Sequence, residues 1–253
     1  MGLKYGELRD RHWMVITEDG HMVTGRQEPR LVLVSLSSER GQMCLNGPEM
    51  EEQRFPLFHP NNPIINCRVF SSDIQGRDCG DEVSSWLTRY LAAERTYRLV
   101  YFEPDFKPRM PAEKEFLYPK SEKIAYPDSG AVMLLSDASV KDLSSRLEND
   151  VTAARFRPNI VVSACEAFNE DLWEEIQIGN VRVMACGRCV FTTVDPETGV
   201  MNSKQPLEML KSYRMCDEAE KHIYNTAPLF GQMFTVRKSG ILQVGDVVYK
   251  ISH

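Results

Sequence analysis

The chain has 253 residues, enough for one large domain or two modest ones. Hydrophobic residues make up 42% and charged residues 26% of it, which excludes a disordered or collagen-like protein. The formal net charge of −6 argues against a broad nucleic-acid-binding surface, so no nucleic-acid partner is expected. No apolar run approaches the roughly 20 residues that span a bilayer, and the sequence therefore predicts a soluble chain.

The first hundred residues predict strands followed by one helix. Residues 13–17 and 31–36 are rich in β-branched and aromatic side chains, and residues 18–20 between them, Glu-Asp-Gly, are typical of a hairpin turn. Apolar residues recur at helical spacing over 81–93, which predicts a helix. Residues 97–102 predict a further strand.

A charged stretch with several prolines, residues 103–123, is the best candidate linker. It divides the chain into a predicted first domain, 1–104, and a second, 105–253. In the second, we expect a helix over 139–147 with Ser139 and Asp142 as a capping box, and Pro206 at the first position of another helix. The predicted strands are 159–163, 181–185 and 189–194, with strand-like alternation over 231–251. Scattered strands with a few helices predict an α+β, β-rich fold.

Seven cysteines, an odd number, suggest free thiols in a reducing compartment, because a disulfide framework is usually even and denser. Only Cys186 and Cys189 are closely spaced. A lone CxxC has three possible meanings: part of a structural zinc site, a thioredoxin-like redox pair, or one thiolate that ligates a soft metal held mainly by another group. The residues alone leave all three open.

Arginines near predicted strand ends favour the third meaning. Arg26 lies in a turn before a strand, Arg157 directly precedes another, and Arg188 is adjacent to Cys189. Arginine offers a planar fork that suits phosphate, and a neighbouring cation lowers the pKa of a thiol. Spacing along the chain cannot show that these side chains meet.

Several segments together resemble one family, the mitochondrial amidoxime-reducing components, which are MOSC-domain molybdenum enzymes. The matching segments run in order across nearly the whole chain, and they are specific as a set: 8–11 with Trp13, 24–31, 76–80, 156–160, 188–189 with 192–196, 210–214 and 228–231.

The resemblance implies a MOSC N-terminal domain followed by a MOSC β-barrel domain with short helices. It also implies a molybdenum cofactor, a pyranopterin dithiolene with a phosphate tail (Mo-molybdopterin). By the same resemblance Cys189 is the metal ligand and the catalytic residue. The implied cofactor contacts, besides Cys189, are Arg26, Ser129, Arg157, Asn159 and Arg188. Arginines and a thiolate suit such a group, since one end is anionic and the metal is soft.

The implied reaction is the two-electron reduction of N-hydroxylated compounds: amidoximes, N-hydroxyguanidines and hydroxamic acids. The implied electron donors are cytochrome b5 and its NADH-dependent reductase, and the implied location is the mitochondrial outer membrane, facing the cytosol. In the family, a membrane anchor and a first strand with a Lys-Ser pair precede the matching region, so the resemblance implies that this sequence begins after both.

Two other functions remain as alternatives. A MOSC-type sulfur carrier for cofactor maturation would hold a persulfide on cysteine without molybdenum. A non-catalytic MOSC-fold binding module would keep the fold and lack the metal. Stoichiometric molybdenum in the purified protein would support only the reductase.

Overall fold

The computed structural model describes residues 2–110, 123–128, 130–190, 193–202 and 204–252, and the side chains of 188–190 lie outside this description. The α-helices are α1 (Asp81–Tyr90), α2 (Asp137–Ser144), α3 (Leu207–Tyr213) and α4 (Lys221–Tyr224). The strands are β1 (Lys4–Tyr5), β2 (Leu8–Arg9), β3 (Trp13–Thr17), β4 (Ser35–Glu39), β5 (Gln42–Asn46), β6 (Gln53–Pro56), β7 (Ile64–Val69), β8 (Ser72–Asp78), β9 (Tyr97–Tyr101), β10 (Val132–Ser136), β11 (Ile160–Val162), β12 (Glu175–Ile178), β13 (Val181–Val190), β14 (Leu229–Lys238) and β15 (Val248–Lys250). Among the described helices, none is long and apolar enough to cross a membrane.

Two antiparallel sheets and α1 build the first half of the protein. One sheet has the strand order β3-β9-β8-β7 and the other β4-β5-β6, and β1 and β2 form a small separate hairpin. The helix buries Trp86, Leu87 and Tyr90 in a core that both sheets share. Asp81 and Glu82 lie in its first turn, where the positive end of the helix dipole stabilises carboxylates. The predicted strands at 13–17 and 97–102 and the predicted helix are confirmed, although α1 ends three residues early.

The prediction of a strand over 31–36 is largely wrong. A 3₁₀ helix, Pro29–Leu33, occupies most of that range, and β4 begins only at Ser35. Proline near the start of this helix fixes its own φ in the helical range, which outweighs the strand preference of the residues that follow. The turn at 18–20 is present, with Gly20 N–H donating to the Thr17 carbonyl at 2.9 Å. The segment that pairs with β3 after this turn is 21–23, and not the predicted 31–36.

One six-stranded sheet, in the order β11-β10-β14-β13-β12-β15, forms the centre of the second half. Only the β10–β11 pair is parallel. Gly231 in β14 has a φ of +83°, and a Cβ there would lie 2.5 Å from Met133 Cε. Glycine is therefore needed where β10 approaches β14. Apolar clusters cover both faces of this sheet.

Three boundaries in the second half differ from the predictions. Helix α2 begins at Asp137, and its cap is Ser136, whose Oγ accepts from Ser139 N–H at 3.0 Å; Ser139 is not the cap. The predicted strands 181–185 and 189–194 are one strand, β13, as far as Val190. Pro206 precedes α3 as its cap and is not its first helical residue.

The two halves meet where the chain returns from the first sheets to β10. Ala125 and Tyr126 pack into the core between β3, β7, β8 and β9. The Tyr126 hydroxyl donates to the Gln75 carbonyl oxygen at 3.1 Å. The residues that follow, 127 and 128, therefore start from a fixed point on the first half, while the domain boundary at 104/105 stays a prediction.

Candidate functional site

Arg157 is held in an unusual backbone conformation at the start of β11. It ends the 3₁₀ helix Ala153–Phe156 with a φ of +54°, and its N–H donates to the Ala154 carbonyl at 3.0 Å. The left-handed region costs of order 1 kcal/mol for a residue with a Cβ, so neighbouring contacts must hold it there. Such strain at a loop-to-strand junction is typical of functional positions.

Asn159 ties this junction to the first half of the protein. Its Nδ2 donates to Asp10 Oδ2 at 2.9 Å, and its Oδ1 accepts from Met133 N–H at 2.8 Å and from Arg11 Nη1 at 3.3 Å. Arg11 Nη2 also donates to the Arg157 carbonyl oxygen at 3.0 Å. An ion pair between Arg11 and Asp10 completes the network. The family resemblance predicted Asn159 as a site residue. The contacts that Asp10 and Arg11 make with it were not predicted.

Asp128 lies in the segment that leads from the first sheets to β10. Burial against surrounding protein is the main reason that its pKa is raised. Four arginines oppose this rise: Arg109, Arg11, Arg157 and Arg26. The structure thus brings the predicted residues Arg26 and Arg157 within electrostatic reach of one carboxylate.

The pKa of Arg157 supports the same geometry. Burial lowers it first, and the nearby Arg11 guanidinium lowers it further, although the side chain is exposed to solvent. The carboxylates of Asp10 and Asp128 lie near these groups, but four arginines against two carboxylates leave a net positive charge. That charge favours an anionic ligand.

Two local structures hold the segments that carry Arg26 and Asp128. Arg26 lies in a tight turn in which the Thr24 carbonyl accepts from Gln27 N–H at 3.0 Å. Arg109 is buried, and its Nε donates to the Ala125 carbonyl oxygen at 3.1 Å, while Nη2 donates to that of Pro127. Arg109 thereby holds the backbone that carries Asp128.

Strand β13 brings the CxxC motif next to this backbone. A Cβ at Gly130 would lie 3.2 Å from Cys186 Sγ, so the segment after Asp128 packs directly on β13. Cys186 is buried in an apolar core with Met133 and Phe230. The pairing of β13 with β14 is irregular between Arg188 and Val190, where Cys189 lies.

The roles of three predicted residues stay predictions. Ser129 lies outside the described residues, as do the side chains of Arg188 and Cys189. Among the cysteine side chains that the structure describes, none is joined in a disulfide. In the same part of the chain, no three His, Cys, Asp or Glu side chains gather where they could hold a metal ion.

An ion pair joins the segment that follows β13 to the 3₁₀ helix that precedes Arg157. Arg155 Nη1 donates to Asp195 Oδ2 at 2.6 Å, and the Arg155 side chain is only 8% exposed. The other carboxylate oxygen of Asp195 accepts from the N–H groups of Glu197 and Thr198, both at 3.0 Å. Asp195 therefore links the turn after β13 to the 3₁₀ helix that precedes Arg157.

Comparisons with known proteins agree along the whole chain. The family model of the MOSC N-terminal beta barrel domain matches residues 1–94, and that of the MOSC domain matches 121–249. The mitochondrial amidoxime-reducing component 1 of Danio rerio is 62% identical over 256 residues, covering 100% of this chain and 78% of the relative. Component 1 of Xenopus laevis is 51% identical (100% of this chain, 75% of the relative). Component 1 of Homo sapiens is 49% identical (98% and 75%). The chain belongs to the mitochondrial amidoxime-reducing component family.

Family membership confirms the predicted fold, a MOSC N-terminal domain followed by a MOSC domain in a β-rich α+β protein. It also makes the chain an oxidoreductase of a molybdenum-dependent family. The described residues suit the anionic molybdenum cofactor of such enzymes, because four guanidinium groups lie near only two carboxylates, Asp10 and Asp128, and leave a net positive charge. Relatives named mitochondrial place the family in that organelle.

The family resemblance predicted Arg26, Arg157 and Asn159 as site residues, and reasoning from the sequence did not identify the residues that lie near them. Asp10 and Arg11 stand in a matching segment, yet nothing in their spacing shows that they reach residues almost 150 positions away. Asp128 follows a proline in a loop and carries no motif. Arg109 lies in the stretch that the proline content predicted to be a linker, although its guanidinium is buried.

Proposed function

We propose that this chain reduces N-hydroxylated compounds, among them amidoximes, N-hydroxyguanidines and hydroxamic acids, with a molybdenum cofactor. The electrons would come from cytochrome b5 and its NADH-dependent reductase, and the enzyme would act at the mitochondrial outer membrane, facing the cytosol. One observation carries the proposal: Asp10 and Arg11 bond to the Asn159 side chain and to the Arg157 carbonyl oxygen, so two of the predicted cofactor contacts lie together where the two halves meet. The names of the relatives supply the substrate class.

The reaction breaks the N–O bond of the substrate. An amidoxime takes up two electrons and two protons, and it becomes an amidine and water. The cofactor, when bound, supplies the electron pair and an open coordination position for the substrate oxygen. The protein must hold the cofactor, leave that position accessible and deliver protons.

The residues of this chain would divide this work. Arg26 and Arg157 would hold the anionic end of the cofactor, since a guanidinium forms charge-assisted hydrogen bonds to phosphate. Cys189 would ligate the metal through its thiolate, with Arg188 beside it. Asp128 would hold a proton at a carboxylate oxygen more readily than an ordinary aspartic acid, because burial raises its pKa.

The proposal is tested with the purified full chain. We expect about one molybdenum per chain and reduction of a model amidoxime, benzamidoxime, with NADH, cytochrome b5 and its reductase. A persulfide on cysteine with no molybdenum would contradict the proposal and favour the sulfur carrier. A chain with neither metal nor persulfide would be the non-catalytic module.

Arg26→Ala and Arg157→Ala are each expected to lower cofactor retention more than they lower stability. A charge-assisted bond to phosphate contributes roughly 1.5–3 kcal/mol, which is about 10- to 100-fold in affinity. Molybdenum per chain after extended dialysis measures the effect. Arg68→Ala is the matched control, because Arg68 pairs with Asp73 on the exposed surface of the same domain as Arg26. Unchanged molybdenum with a lower melting temperature would make both arginines structural ion-pair partners instead.

Asp128→Asn is expected to slow the reaction and to change its pH profile. A general acid acts only when protonated, so the wild-type rate should fall as the pH rises through the raised pKa of Asp128. Asparagine cannot give up a proton in this range, and the variant should lose that dependence. The measurement is single-turnover oxidation of the reduced, molybdenum-loaded protein by benzamidoxime, which excludes steps in the electron donors. An identical profile in the variant would remove Asp128 from proton delivery.

A further inference from the structure

Asp10 and Arg11 reach from the first domain into the junction that carries Arg157 and Asn159. They lie between β2 and β3, and their partners lie 146 to 149 residues further along the chain. The Asp10 carboxylate accepts from both Asn159 Nδ2 and Arg11. Arg11 in turn donates to Asn159 Oδ1 and to the Arg157 carbonyl oxygen.

We propose that Asp10 and Arg11 are positioning residues: they form a latch through which the first domain holds Arg157 and Asn159 in the geometry that binds the cofactor. The term latch here means these two residues with their bonds to 157 and 159. The inference rests on the proposed function, since it concerns the same site. It adds that the site is complete only while the two domains are joined at this point.

The bonds explain why the junction needs such a latch. Arg157 has a positive φ of 54°, and the residue between it and Asn159 is Pro158, so the backbone has little freedom to adjust. Arg11 fixes the carbonyl of Arg157. The side chain of Asn159 is fixed at both ends, with Oδ1 on Met133 N–H in β10 and Nδ2 on Asp10.

The negative charge of Asp10 makes it possible to distinguish a positioning role from a purely electrostatic role. Asp10 is an acid beside a cluster of arginines, so its negative charge by itself weakens the binding of an anionic cofactor. Electrostatics alone therefore predict that removal of Asp10 increases cofactor retention. The latch predicts the opposite, because Asn159 and Arg11 lose the carboxylate that orients them.

The experiment compares molybdenum per chain in wild type, Asp10→Ala, Asp10→Asn, Arg11→Lys and the control Asp73→Ala. We expect about a tenfold loss of retention in Asp10→Ala, since two bonds to a charged group disappear, and a smaller loss in Asp10→Asn, which keeps an acceptor. Arg11→Lys keeps the positive charge but removes the planar guanidinium group, which bonds to both Asn159 and the Arg157 carbonyl oxygen. This variant should therefore also lose cofactor. Asp73→Ala removes the same charge from an exposed ion pair and should match wild type.

Hydrogen–deuterium exchange supplies a readout that does not depend on the metal. Met133 N–H donates to Asn159 Oδ1, so its exchange should be faster in Asp10→Ala and Asp10→Asn. The exchange rate of the same N–H should not change in Asp73→Ala. Equal or higher molybdenum in the Asp10 variants, with unchanged exchange, would overturn the latch while leaving the proposed function in place. A wild-type chain that retains no molybdenum would overturn both.

Discussion

Replacement of Cys189 by alanine is expected to eliminate bound molybdenum and amidoxime reduction while leaving the fold intact. The resemblance to the family assigns it the ligand position, and it lies where the pairing of β13 with β14 is irregular. Irregular pairing turns a side chain away from the ordinary alternation of a strand and is frequent beside active sites. A thiolate is the soft ligand that the metal needs, and alanine offers none. Metal analysis and the benzamidoxime assay measure the two losses, and circular dichroism checks the fold.

Cys186→Ala is the matched control for this prediction. Cys186 is only 4% exposed and packs among apolar residues of the second half, including Met133 and Phe230. Its thiol contributes packing, so alanine there should cost stability of about 1 kcal/mol and leave most of the metal and the activity in place. Equal loss of molybdenum in both variants would contradict a single thiolate ligand and favour a paired CxxC site.

Local patterns predicted the elements whose stability is local. The helical spacing of Trp86, Leu87 and Tyr90 found α1 because those side chains form one buried face. Residues 31–36 misled the prediction because their apolar side chains suit a strand as well as a short helix against the same core. There Pro29 and tertiary packing decided the outcome.

The site shows the same division between local and long-range information. Arg157 could be named from its place before a strand and from the family resemblance, and Arg26 from the resemblance, since the strand predicted after it is largely a 3₁₀ helix. The bonds from Asp10 and Arg11 to residue 159 are a property of the way in which the two domains pack. No spacing in the sequence encodes these bonds, because they join segments separated by almost 150 residues.

Asp195→Ala is expected to lower the free energy of unfolding by about 3 kcal/mol, the low end for breaking a buried ion pair. The low end applies because Asp195 itself is 33% exposed, whereas Arg155 is 8% exposed and would be left without its anion. The variant also releases the turn that the N–H groups of Glu197 and Thr198 form on Asp195. Urea unfolding at pH 7 measures the loss, and Asp73→Ala, in an exposed pair, should change it by less than about 1 kcal/mol.

The pH dependence of this loss identifies the charge of Asp195 as its cause. Burial opposes ionisation, but the bonds from Glu197, Thr198 and Arg155 outweigh it and lower the pKa of Asp195. A carboxylate with a lowered pKa in the folded state stabilises the fold fully above its unfolded pKa of about 4, and that stability disappears as the pH falls through the folded value. The difference between wild type and Asp195→Ala should therefore be constant from pH 7 to pH 5 and shrink below pH 4. If the difference in the free energy of unfolding stayed constant at low pH, the packing of the Asp195 side chain, and not its ionisation, would stabilise the contact between the turn after β13 and Arg155.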